Sequence, residues 1–185
     1  MISATDLRKG ATFELDGDLY RVLEYQHSYI GRGSANVRTK LRNLRSGRTI
    51  DRTFPASEKF QEVRLELRQV QFLYRDGDLY YFMDTETYEQ PALSAEVLGD
   101  RVDYLKEGLI LSLSMHEAQP VEIELPVTVE LEVTQTEPGV KGDTATGATK
   151  RATLETGLTV QVPLFVEHRD TIRVDTRTGE YLTRV

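Results

Sequence analysis

Thr12-Phe13-Glu14-Leu15-Asp16-Gly17-Asp18-Leu19-Tyr20-Arg21-Val22-Leu23-Glu24-Tyr25 sets two short runs of alternating apolar and polar residues on either side of an Asp-Gly pair. A period of two sends successive side chains to opposite faces of a strand, and Asp-Gly supplies the positive-φ residues of a tight hairpin. The design recurs at residues 71–83, again around an Asp-Gly-Asp turn at 76–78. Two such hairpins opening successive segments predict successive small β modules, with almost no helical periodicity to compete. A weak helical signal runs from Ser94 to Leu105, with Ser94 as N-cap and Gly99 interrupting after Leu98. It allows one short helix or two turns. Alternation restarts at Val127 directly after Pro126, and an earlier restart follows the polar residues 56–59. The expected modules are therefore residues 1–63, 64–127 and 128–185. No low-complexity linker separates them, which predicts end-to-end packing with restricted flexing.

Of the 185 residues, 39% are hydrophobic and 29% charged, enough apolar surface for cores and too much for a disordered chain. There is no cysteine, which excludes disulfides, thiolate metal sites and a cysteine nucleophile and fits a cytoplasmic setting. Met1-Ile2-Ser3-Ala4-Thr5-Asp6 lacks the basic and apolar regions of a signal peptide, and no run of 18 apolar residues occurs, so membrane spanning is not expected. The net charge of -7 argues against a nucleic-acid partner until its distribution is read. Residues 1–63 hold 11 basic against 8 acidic side chains, residues 64–127 hold 5 against 13, and residues 128–185 hold 7 against 9. Within residues 28–52 seven Arg or Lys stand against the single Asp51. A local positive field coexists with an acidic whole.

That basic region begins with Gly31-Arg32-Gly33-Ser34. Glycine on each side of a long cation lets the backbone turn tightly and approach another molecule, with the guanidinium projecting from the tip. An isolated Gly-Arg-Gly is more often an ordinary hairpin tip, and the spacing does not match a nucleotide-binding glycine loop. What favours function is the strand behind it. Arg38, Lys40 and Arg42 alternate with Val37, Thr39 and Leu41, which puts the three cations on one face, suited to phosphate backbones without sequence selection. Arg45 and Arg48 flank a Ser46-Gly47 turn and extend the region. A second segment, residues 137–151, is too long for mere connection; Lys141, Gly142, Asp143, Thr144, Thr146, Gly147 and Lys150 offer N–H groups, hydroxyls and cations to phosphates or sugars. A flexible exposed loop is the competing reading. His27, His116 and His168 lie far apart and no acid–base or metal set is apparent, so neither catalysis nor a cofactor is expected.

The most specific stretch is Lys150-Arg151-Ala152-Thr153-Leu154-Glu155-Thr156-Gly157-Leu158-Thr159-Val160-Gln161-Val162-Pro163-Leu164-Phe165-Val166, flanked by Val140-Lys141-Gly142-Asp143-Thr144 and Val174-Asp175-Thr176-Arg177-Thr178-Gly179-Glu180-Tyr181. On these residues the whole chain resembles the bacterial elongation factor P family. The resemblance implies an all-β fold of three small barrels in tandem, an SH3-like, KOW-like one and then two OB folds, in an L-shaped arrangement. It implies a monomeric, non-enzymatic factor bound to the 70S ribosome between the P and E sites. There it would steady the P-site peptidyl-tRNA and relieve stalling at consecutive prolines. The family's tip residue aligns with Arg32. Many members carry a modified Lys there; some carry Arg, rhamnosylated in a subset, which would add a tip-arginine glycosyltransferase as partner. By the family's loop usage, residues 141–150 would contact tRNA further from its acceptor end. One departure is Arg169, where the family usually has glycine before Asp170; it leads us to expect a differently built turn. The elongation factor P-like paralogue shares the fold, but the Gly-Asp-Thr loop and the Asp-Thr-Arg-Thr-Gly-Glu-Tyr ending favour elongation factor P proper. A general OB-type single-strand binder would need stacking platforms beside a basic groove, and the chain has an acidic middle and no Trp.

Overall fold

The computed structural model describes residues 1–29, 31–33, 35–139 and 147–185. Its strands form three sheets, two of them barrel-like. The first contains β1 (Ile2–Ser3), β2 (Thr12–Leu15), β3 (Asp18–Ser28), β4 (Asn36–Asn43), β5 (Thr49–Pro55) and β6 (Lys59–Glu62), in the order β1-β6-β2-β3-β4-β5. The second contains β7 (Glu66–Asp76), β8 (Leu79–Asp84), β9 (Ala92–Ser94), β10 (Ile110–His116) and β11 (Gln119–Glu124), in the order β11-β10-β7-β8-β9. The third contains β12 (Thr128–Thr136), β13 (Thr149–Leu154), β14 (Thr159–Pro163), β15 (Thr171–Asp175) and β16 (Tyr181–Arg184), in the order β14-β13-β12-β15-β16. The helix expected after Ser94 is the single turn α1 (Ala95–Leu98), followed by 3-10 turns over Gly99–Tyr104. Ser94 caps it by accepting the Val97 N–H at 3.4 Å, and Gly99 ends it at φ +57. The chain divides into two compact units, one of Met1–Arg68, Leu93–Gly99 and Leu113–Glu122, the other of Gln69–Ala92, Asp100–Ser112 and Ile123–Val185.

In the first unit, Asp16 and Gly17 form the two-residue turn between β2 and β3, with φ of +53 and +83. Positive φ at both positions is the type I′ pattern, whose twist matches the strands it joins. The alternation predicted for these strands places Phe13 and Val22 inward with Val37, Leu41, Phe54 and Phe60. The Phe13 ring lies 4.7 Å from Phe60 and edge-on to Phe54 at 6.4 Å, a geometry that adds to area burial. A second apolar cluster in the same unit joins Leu19, Leu44 and Val63 to Val121 of β11.

The second hairpin of the same Asp-Gly-Asp type lies in the other unit and turns differently. Asp76 pairs with Leu79, so Gly77 and Asp78 form the turn, and Gly77 has φ +58. Further along this unit, β12 divides its length: residues 128–132 pair with β15, and residues 133–136 pair with β13 after an irregularity between Val133 and Gln135. Val129, Leu131 and Val133 from it pack with Ala152, Leu154, Val160, Val162, Ile172 and Val174. Each comes from the apolar phase of a strand, as half-buried sheets require.

Candidate functional site

The longest ladder of the first sheet joins β3 to β4, from Tyr20 opposite Asn43 to Ser28 opposite Asn36. Its tip carries Arg32, exposed, between Gly31 at φ +45 and Gly33. Among the described residues, a Cβ on Gly31 would meet nothing within 4 Å, so glycine serves the conformation there and not a close approach. The base of the loop is tied down where the Ala56 N–H donates to the Ala35 carbonyl at 2.9 Å. Tyr29 beside the tip is 82% exposed. Ser34, the remaining tip residue singled out from the sequence, lies outside the described residues.

On β4 the expected division of faces is present. Val37, Thr39 and Leu41 are buried, while Arg38 is exposed and Lys40 and Arg42 are half-buried. A bulge at Leu23, between the pairs Val22–Leu41 and Glu24–Lys40, shifts the phase of β3. Glu24 and Gln26 thereby join the cationic face, opposite Lys40 and Arg38. On the other side of β4, Asp51 stands opposite Lys40 and Thr53 opposite Arg38. Lys40 thus sits between two carboxylates and Arg38 between two neutral groups. Nearby, Arg45 pairs with Asp18 at 3.5 Å and Arg52 reaches Asp16 at 4.0 Å. Among the described residues, Arg32 and Arg38 form no ion pair, and neither do Lys40, Arg42 and Arg48; what separates Arg38 from Lys40 is that no carboxylate stands opposite it on either neighbouring strand. The sequence singled out Arg38 and Lys40 equally; the cross-strand partners that separate them were not legible in it.

The second candidate segment is only partly visible. Lys141, Gly142, Asp143, Thr144 and Thr146 lie outside the described residues. Gly147 is exposed at φ +100. Lys150 is 7% exposed, on the same face of β13 as Ala152 and Leu154, and lines a groove with Glu137, Phe165 and His168. Arg151, on the opposite face, is exposed and is the cation of this strand that points outward; the alternation Lys150, Ala152, Leu154 carried that signal. Among the described residues no group of three metal-ligating side chains occurs, and no helix is long and apolar enough to cross a membrane.

Residues 3–60 match the elongation factor P KOW-like domain, residues 65–123 its OB domain, and residues 129–184 its C-terminal domain. The chain belongs to the elongation factor P family. Elongation factor P of Moorella thermoacetica is 55% identical over 184 residues, and that of Acetivibrio thermocellus is 54% identical over 185, each covering all of both chains. A solved structure of eukaryotic translation initiation factor 5A from Methanococcus jannaschii aligns with a TM-score of 0.55 at 22% identity, over 67% of this chain and 91% of that one, a likeness of fold. Elongation factor P is a family of ribosome-associated translation elongation factors and is not an enzyme family.

Proposed function

We propose that this elongation factor P chain binds the 70S ribosome between the P and E sites, holds the P-site peptidyl-tRNA, and relieves stalling at consecutive prolines. The observation that carries the reading is the exposed, uncompensated Arg32 at the end of the β3–β4 hairpin, with Arg38 behind it on the same hairpin. Cations in that arrangement attract phosphate backbones without reading sequence. Proline is a conformationally constrained partner in peptide-bond formation. Holding the peptidyl-tRNA in a reactive geometry offsets the entropic part of that barrier, a contribution that reaches about 7–11 kcal/mol in well-oriented reactions. No protein group need touch the proton or the bond; Arg32 orders the ligand and the ribosome catalyses.

The same reading makes Gly31, Gly33 and Ser34 the loop that presents Arg32, and Arg38, Lys40 and Arg42 a surface for the tRNA backbone. It assigns Lys141, Gly142, Asp143, Thr144, Thr146 and Gly147 to a second RNA contact, with the exposed Arg151 in place of the buried Lys150. It divides the chain at residues 1–63, 64–127 and 128–185, a division supported by the three matched segments. It sets the factor in the cytoplasm as a monomer, with Arg32 open to a glycosyltransferase in hosts that have one.

Reconstituted translation of a message with consecutive proline codons is the test. Full-length yield rises with the intact chain and falls back to the factor-free level with Arg32→Ala, whose fold is unchanged by circular dichroism. Equal yield with and without the factor would refute the reading, and full rescue by Arg32→Ala would refute the role of the tip.

A further inference from the structure

At the end of the basic face away from the tip, Arg21 of β3 stands directly opposite Arg42 of β4. Like charges at facing positions of an antiparallel pair are destabilising unless a third group intervenes. That group is Glu122 of β11, whose Oε1 forms an ion pair with Arg21 Nη1. The Glu122 side chain is 8% exposed and that of Arg21 is 30% exposed, so the pair is largely withdrawn from water. Around it, Leu19 and Leu44 pack on Val63 and Val121, and the turn at Gly47 lies so close to α1 that a Cβ there would stand 3.5 Å from the Glu96 carbonyl oxygen.

Apolar packing of this kind is non-directional and tolerates small rotations. A buried ion pair does not, because its attraction depends on the separation and angle of its two groups, even though the pair's net contribution to stability is small. We propose that Glu122 is a positioning residue for the tip: by holding Arg21 it fixes the direction in which the β3–β4 hairpin carries Arg32. The proposal rests on the assignment of Arg32 to ordering the peptidyl-tRNA. From Arg21 to Ser28 the strand extends about 23 Å, so a rotation of ~10° at Arg21 displaces the loop by about 4 Å. Misplacement of a positioned group by ~1 Å is enough to lower a rate about a hundredfold.

The experiment compares the full chain with Glu122→Gln and with the charge-reversed pair Arg21→Glu/Glu122→Arg in polyproline synthesis, across factor concentration. The expected result for Glu122→Gln is a plateau rate lowered at least about tenfold, the hairpin spending part of its time in the present direction, with the half-saturating concentration changed less than about twofold, and partial recovery in the reversed pair. A merely structural role would reduce the folded fraction, raising the half-saturating concentration and leaving the plateau intact; that result, or an unchanged plateau, overturns the proposal. The chain has no cysteine, so spin labels at Tyr29→Cys and Glu96→Cys report on the same hairpin without translation. Their distance distribution is expected to broaden by roughly 4 Å in Glu122→Gln, the displacement given by the strand's length. An unchanged width overturns the proposal. A broadened width in a chain whose unmutated form does not stimulate polyproline synthesis leaves the positioning by Glu122 standing and refutes the assigned function.

Discussion

Arg38 faces Gln26 across the β3–β4 ladder, whereas Lys40, two residues along the same strand, is bracketed by Glu24 and Asp51. The two cations share a face and differ in what neutralises them. A cation with carboxylates opposite it on both sides releases less free energy on meeting a phosphate, because their field already offsets part of its charge. Arg38→Ala is therefore expected to weaken binding to ribosomes carrying peptidyl-tRNA about tenfold, near the low end of a charge-assisted hydrogen bond's contribution. It should also lower the slope of log affinity against log salt by about 1, the loss of one phosphate contact. Lys40→Ala should change both by less than half as much. A titration of binding across salt concentration measures the two variants together, and equal effects would mean that Glu24 and Asp51 do not screen Lys40.

Arg169 occupies a position for which glycine is better suited. Its φ is +72, in the left-handed region, and the turn is held by its own N–H on the Val133 carbonyl at 2.9 Å and by Asp170 Oδ2 accepting from the Glu167 N–H at 2.9 Å. The turn thus demands a conformation that costs a residue with a Cβ about 1–2 kcal/mol, while glycine loses some of that advantage, roughly 0.5–1 kcal/mol, through the entropy of the unfolded chain. Arg169→Gly is expected to stabilise the chain by about 0.5–1 kcal/mol, seen as a higher denaturant midpoint with an unchanged slope. A lower midpoint would show that the arginine side chain contributes more than its backbone costs.

How far the sequence carried the reading follows from the range of the interactions involved. Alternation fixed the inward set of β2, β4 and β12, and Ser94 announced its own cap, because each depends on neighbours in the chain. The family-like run ending in Tyr181 has a local reason too: Asp175 accepts the Arg177 N–H at 2.7 Å and Gly179 turns at φ +77. Cross-strand facts were hidden. The bulge at Leu23 moves Glu24 to the cationic face, and the adjacent apolar pair Val22-Leu23 was its only trace. Identical Asp-Gly-Asp tripeptides turn around Asp16-Gly17 in one hairpin and around Gly77-Asp78 in the other, because pairing register decides between them. Nothing local linked Glu122 to Arg21.

Gly31 allows the tip conformation to be tested apart from the tip charge. Among the described residues, an added methyl there meets no neighbour within 4 Å and acts only on the backbone. At φ +45 the penalty is about 1–2 kcal/mol, which lowers the population of the present conformation roughly 5- to 30-fold. Because the strain falls on one exposed residue outside the packed core, Gly31→Ala is expected to leave the thermal midpoint unchanged and to lower polyproline rescue by a similar factor. Full activity would mean that Arg32 works from another loop conformation.

Two carboxylates in the second unit should respond to pH in opposite directions. Asp175 accepts from Arg177 Nη2 at 2.9 Å and from its Nε and N–H, and these bonds, the guanidinium first, hold its carboxyl below the ordinary Asp value. Asp103 is pushed up, first by burial and then by the charge of Asp100. A depressed folded value means that the unfolded chain binds the proton more tightly; the stability from Asp175 is present at neutral pH and is lost as pH falls through the folded value. For Asp103 the folded chain binds the proton more tightly, so stability declines as pH rises from the ordinary Asp value through the raised one, and stays lower above it. Asparagine preserves the shape of each side chain and removes the charge. Denaturant midpoints from about pH 3 to pH 8 should therefore show Asp175→Asn less stable than the parent at neutral pH, with the gap closing in acid. Over the same range Asp103→Asn should be more stable than the parent at neutral pH, and that gap too should close below the ordinary Asp value. If Asp103→Asn is the weaker protein at pH 7, its carboxylate has a favourable partner in the folded chain and the cost assigned to its burial is wrong.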